Sequence, residues 1–172
     1  MKTKRLITCA LFTAIICVTA PFCVMIGPVP ITFTIFALAL CAFTSGSGQA
    51  AVSTLVYILA GAVGMPVFSG FKGGLSAIMS PTGGFVFSYV FVVLILGMCK
   101  RAKSKRHVAL LCALALAVCY AFGVLWYMLI AKSDAVTALM LCVVPFIPFD
   151  ILKLYLGYAV SKEINKKADL FS

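Results

Sequence analysis

Acidic residues are scarce in this sequence: four Asp and Glu stand against fourteen Lys and Arg, and charge of either sign makes up only 10% of the 172 residues. Soluble domains carry about 25% charged residues, so a soluble globular domain is excluded. No G-x-x-x-x-G-K-[ST] phosphate loop is present, so any ATP-driven step needs hydrolysis supplied by a partner. An intramembrane aspartate dyad is disfavoured too, because Asp134, Glu163 and Asp169 lie outside the apolar runs or at their ends. The one histidine, His107, falls in a basic loop and reads as solvated. The eight cysteines form no C-x-x-C pair and sit mostly within apolar runs. They read as small buried hydrophobes, with no metal site or disulfide framework implied. No heptad or internal repeat appears.

What the chain does have is apolar length. Hydrophobic residues make up 64% of it and the mean hydropathy is +1.19, which marks an integral membrane protein organised as a single membrane domain over 1–172. Runs over 6–26, 82–99, 108–130 and 135–160 are each long enough, at about 1.5 Å per residue, to cross a hydrocarbon core of about 30 Å. Two shorter runs, approximately 31–45 and 49–64, meet at a small polar turn, Thr44-Ser45-Gly46-Ser47-Gly48-Gln49. Residues 1–20 have the outline of a signal peptide, but Pro21 would follow the cleavage point and the apolar run continues to Ile26, so the segment reads as a retained first span.

Formal net charge is +10, and the bases are grouped in short runs between spans, a pattern that sets membrane orientation and does not call for nucleic acid. Lys2, Lys4 and Arg5, the loop residues Lys100, Arg101, Lys103, Lys105 and Arg106, and the tail residues Lys162, Lys166 and Lys167 belong on the cytoplasmic side. Lys72 and Lys132 fall on the other. An even number of crossings must separate the N-terminus from the 100–106 loop. The two short runs therefore both cross or form one re-entrant hairpin, and two crossings, giving six spans, are expected.

The last run holds the exception to this segregation of charge. Pro145-Phe146-Ile147-Pro148-Phe149-Asp150-Ile151-Leu152-Lys153 places an acid and a base inside an apolar segment, where each costs on the order of 2.5–3.5 kcal/mol on insertion scales. At i and i+3 they share a helical face and offset one another. Pro145 and Pro148 lack a backbone donor and crowd the preceding turn, so the helix should kink or restart beside the pair. Two readings stay open: a binding site, or a structural ion pair joining helices.

Between the third and fourth spans, Gly64-Met65-Pro66-Val67-Phe68-Ser69-Gly70-Phe71-Lys72-Gly73-Gly74 runs on to Pro81-Thr82-Gly83-Gly84, long for a connector and a candidate cover for the bundle. Together with Gly27-Pro28-Val29-Pro30-Ile31-Thr32-Phe33 and the Pro145–Lys153 stretch, this ordered set resembles the BioY family, the biotin-specific S components of energy-coupling-factor (ECF) transporters. The resemblance covers nearly the whole chain. It departs from the family pattern at Thr34, Ser80 and Phe149, where Gln, Gly and Gly are common.

The resemblance implies an all-α, six-helix S-component bundle in a bacterial cytoplasmic membrane, with both termini inside and no enzymatic activity. It implies biotin as ligand, no cofactor, and assembly with a membrane coupling subunit and two ATP-binding subunits. Asp150 and Lys153 correspond to ligand-binding positions, and the block containing Thr82, Gly83 and Gly84 helps to close the pocket. Ala10 and Ala14 match the small-xxx-small face presented to the coupling subunit, small residues being what lets helix backbones approach closely. Phe68, Phe71, Phe146 and Phe149 are candidate apolar walls, and Lys72 is a candidate partner for the biotin carboxylate. Alternatives still open are an S component for another vitamin and a small intramembrane enzyme.

Overall fold

The computed structural model describes residues 2–25, 29–102 and 104–170. Gly27 and Pro28 of the first motif and Lys103 of the basic loop lie outside the described residues. Eight helices and one small hairpin are seen among them: α1 (Lys2–Thr19), β1 (Cys23–Met25), β2 (Pro30–Thr32), α2 (Thr34–Ser45), α3 (Ser47–Val63), α4 (Leu75–Ile78), α5 (Gly83–Met98), α6 (Lys105–Ala131), α7 (Ala135–Cys142) and α8 (Ile147–Leu170). Each of the six expected spans receives a helix, the last of them in two pieces.

The first span ends earlier than its hydropathy suggests. Apolar character runs to Ile26, but α1 stops at Thr19 and residues 23–25 pair antiparallel with 30–32 instead. Pro21 explains the stop: it has no N–H for the helical ladder and pushes the residue before it out of the α region. The apolar residues past it serve a hairpin over the bundle, not a longer helix.

α5, with the 3-10 turn that follows it, and α6 are long and apolar enough to cross a membrane alone, while α7 and α8 qualify together as one span bent by 43°. α2, at 12 residues, is about 18 Å long and cannot match the hydrocarbon thickness. It does not need to, because protein surrounds it: Thr34, Ile35 and every residue from Ala37 to Phe43 are buried. Its last carbonyls are satisfied by side chains from neighbouring helices, Lys100 Nζ donating to Thr44 O at 2.6 Å and Asn165 Nδ2 to Phe43 O at 3.3 Å. Non-spanning backbone at membrane depth is tolerated where protein covers it.

Small residues set the helix spacing. A Cβ at Gly84 would overlap the Trp126 side chain and the Phe122 carbonyl, so α5 and α6 approach closely at that point. α1 and α3 are joined by a polar seam: Ser53 Oγ donates to Cys9 O at 3.1 Å and Thr13 Oγ1 to Ser53 O at 3.2 Å. Apolar side chains such as Leu110, Leu114, Leu125 and Leu129 line the outer surface of α6, as a lipid-facing helix requires.

Candidate functional site

The break between α7 and α8 is where the chain's buried charge is exposed to a cavity. Pro148 occupies the first turn of α8, where a missing N–H leaves no bond unmade, and the helix settles at once, with Asp150 N donating to Phe146 O at 2.8 Å. Asp150 therefore sits in the first turn of α8, whose partial positive charge complements a carboxylate. Phe146, Asp150 and Lys153 share one face at i, i+4 and i+7, and all three are buried, Asp150 to 3% and Lys153 to 8% exposure.

The carboxylate is held at both oxygens. Lys153 Nζ donates to Oδ1 at 2.9 Å, and the Tyr120 hydroxyl of α6 donates to Oδ2 at 2.9 Å. Each oxygen has capacity for a further donor, and Lys153 has spent one of its three N–H groups. This cluster forms the polar wall of a cavity of about 140 Å³ enclosed by α2, α3, α5, α6, α8, the hairpin and the segment from 68 to 82. Thr34, Tyr57 and Tyr89 add hydroxyl-bearing side chains, and Ile35, Phe68, Phe85, Val86 and Phe146 supply apolar surface. A compact solute with an apolar body and a small group that both donates and accepts matches this lining.

Of the residues singled out in the sequence, Phe68, Lys72, Thr82, Phe146, Asp150 and Lys153 converge on the cavity. Phe68 is buried over Gly61, where a Cβ would strike its ring, and lies edge-on to Tyr57 at 5.6 Å. Lys72 is an exposed residue bordering the cavity, on the turn where Phe68 N donates to Lys72 O at 2.9 Å.

Four expected residues do not line it. Phe71 is 60% exposed, held at φ 57° by the tight turn, and packs edge-on against Phe22. Phe149 is 45% exposed, since one residue before Asp150 lies about 100° around the helix. Gly83 and Gly84 are buried beneath Trp126, where a side chain would collide with the Ile78 carbonyl and with α6; their place is in helix packing. Ala10 and Ala14 lie far from the cavity on an uncovered face of α1 with Ile7, Leu11 and Val18, opposite the buried Phe12 and Ile16.

Sequence reasoning missed Tyr120. Its signal was a phenol in the middle of an apolar span, which when buried needs a hydrogen-bond partner, and the buried side of its helix is marked by Cys119, Gly123 and Tyr127. It also missed Trp126, whose Nε1 donates to Ser80 O at 3.0 Å and ties the segment before α5 to α6.

The sequence profile of the BioY family matches residues 1–169. The chain belongs to the BioY family. Among its BioY relatives, the biotin transporter BioY of Thermotoga maritima is 32% identical over 95% of this chain and 96% of its own length. The probable biotin transporter BioY of Pyrococcus horikoshii is 34% identical over 96% and 98%. Among solved structures, the S-component for biotin from an ECF-type ABC transporter superposes with a TM-score of 0.87, covering 96% of this chain and 92% of that one at 22% identity. At that identity the likeness concerns the fold, and the all-α S-component bundle expected from the sequence is the one observed.

Proposed function

We propose that this BioY protein is the biotin-capturing membrane subunit of an ECF-type transporter, with the Asp150–Lys153–Tyr120 cluster as its recognition centre. The observation that carries this reading is a buried ion pair with unspent hydrogen-bond capacity, facing a cavity, in a chain of this family. Biotin's ureido ring offers two N–H donors and a carbonyl. Asp150, an acceptor at both oxygens, suits the N–H groups, and Lys153, a donor only, suits the carbonyl. Charge-assisted bonds of this kind are roughly twice as strong as neutral ones. Because the pair is internally neutral, it selects a neutral polar ring over an ion. Phe68, Phe85 and Phe146 flank the bicyclic body, and Lys72 at the border of the cavity is within the outer segment that would meet the valerate carboxylate.

The sequence has no G-x-x-x-x-G-K-[ST] phosphate loop, so it acts as the binding and translocation subunit and not as the ATPase, energised by a membrane coupling subunit and two ATP-binding subunits. The uncovered Ala10–Ala14 face of α1 is the proposed contact with the coupling subunit. Ala10→Trp and Ala14→Trp should abolish co-purification with that subunit while biotin binding persists; undiminished assembly in both variants removes this face from the reading. The distribution of basic residues puts both termini in the cytoplasm. In a background without native cysteines, a membrane-impermeant thiol reagent applied outside should label Ser76→Cys and spare Ser104→Cys, and the reverse pattern inverts the topology.

The decisive experiment is a thermal-shift panel of vitamins on the purified protein, followed by calorimetry. Biotin alone should raise the melting temperature, and its binding should be lost with Lys153→Met. Stabilisation by another vitamin in place of biotin would reassign the ligand within the same fold.

A further inference from the structure

The opposite end of the bundle holds a second cavity, of about 190 Å³, between the ends of α2, α5 and α8. We infer that it binds the phosphate of an anionic membrane lipid. Two ammonium groups border it, Lys100 from the turn after α5 and Lys162 from α8, and no carboxylate is among its lining residues. Among the described residues the only ion pair is Asp150 with Lys153, so neither lysine is paired with a carboxylate among them. Lys100 spends one donor on the Thr44 carbonyl and keeps the others, whereas Lys162 makes no side-chain hydrogen bond among the described residues.

Along α8 the apolar run of 154–160 gives way at Ser161-Lys162, the kind of transition expected where hydrocarbon meets headgroups. The cavity lining is likewise of two kinds: Phe43 and Tyr158, packed edge-on at 5.6 Å, supply apolar surface, and Asn165 and both lysines supply polar groups. An apolar wall leading to paired ammonium groups is the arrangement that takes a phosphodiester with its glycerol and upper acyl chain, and basic pockets between membrane helices are recurrent headgroup sites. Lysine suits phosphate as a compact point charge. The occupant would also bridge three helices at the end where α2 relies on Lys100 and Asn165 for its last carbonyls.

The test is native mass spectrometry of the full chain in uncharged detergent, titrated with phosphatidylglycerol or with phosphatidylcholine, alongside melting temperature. Phosphatidylglycerol should be retained and phosphatidylcholine not. Retention should fall about fivefold in Lys162→Ala, and roughly thirtyfold in the double variant with Lys100→Gln, while Lys162→Arg keeps it. Lys162→Ala breaks no hydrogen bond within the described chain, so its result stands even if the double variant is unstable. Equal retention of the two lipids, or unchanged phosphatidylglycerol retention in Lys162→Ala and the double variant, overturns the proposal. Inorganic phosphate protecting as well as the lipid at matched ionic strength also overturns it, in favour of a soluble anion. Biotin affinity should be the same in all these variants, so failure here is distinguishable from failure of the biotin assignment.

Discussion

Two of the polar clusters inside this membrane bundle differ in how much hydrogen-bonding capacity they leave unspent. In the seam between α1 and α3, Ser53 and Thr13 donate to backbone carbonyls of the facing helix, at 3.1 and 3.2 Å. The groups are neutral and border no described cavity. In the cluster at the start of α8, Asp150 accepts from Lys153 and Tyr120, yet carboxylate and ammonium both retain capacity directed at a cavity. The first arrangement is adhesive and the second is receptive. Burial and polarity are common to both; charge combined with an unfilled volume separates them, and that combination is costly enough in a membrane to imply use.

The strongest way to break this contrast is Asp150→Asn. The substitution keeps the volume, removes the charge and turns one acceptor into a donor facing a donor. Biotin affinity should fall by roughly 30- to 1,000-fold, corresponding to about 2–4 kcal/mol. If Asp150 were only a structural partner of Lys153, the ligand-free protein would lose stability while binding biotin normally, and calorimetry with a melting curve on the same sample separates the two outcomes. Tyr120→Phe comes next. It removes a donor to a charged acceptor, a bond of about 1.5–3 kcal/mol, and the loosened carboxylate should bind biotin on the order of tenfold more weakly. Unchanged affinity would mean that α8 and Lys153 alone orient Asp150.

Ser53→Ala probes the adhesive cluster. Hydrogen bonds between membrane helices average about 0.6 kcal/mol, so a slightly lower melting temperature with biotin affinity unaltered is expected. A large loss of affinity would show that the seam communicates with the site and that the two clusters are not separate kinds. The smallest effect belongs to Phe149→Ala: lying about 100° around the helix from Asp150, it should leave the biotin dissociation constant within about twofold. A larger change would return Phe149 to the pocket wall.

How far each cluster was legible follows from the same physics. Asp150 and Lys153 announce themselves because ionised groups stand out in an apolar run, and their mutual contact follows from i, i+3 spacing within one helix. The break at Pro145–Pro148 is equally local, and so are the apolar runs that become helices. Tyr120 is thirty residues away on another helix; its contact depends on how α6 is rotated against α8, which no local pattern encodes. The same holds for Phe71 and Phe149, whose apolar character is equally suited to lipid or to a pocket. The early end of α1 was encoded in Pro21, but hydropathy runs through that proline without a signal. Of the three departures from the family pattern, Thr34 and Ser80 border the cavity and Phe149 does not, so two of them are placed to adjust its polarity.

Trp126 is the only tryptophan in the chain, and its indole N–H ends on Ser80 O, within the segment from 68 to 82 that lines the cavity. The molecule thus has a single indole fluorophore, fixed to a segment that lines the cavity. Indole emission responds to hydrogen bonding and local polarity, so a titration with unlabelled biotin should register any movement of that segment as a change in wavelength or yield. The wild-type protein can therefore be used to test for closure without an attached dye and without a substitution in that segment.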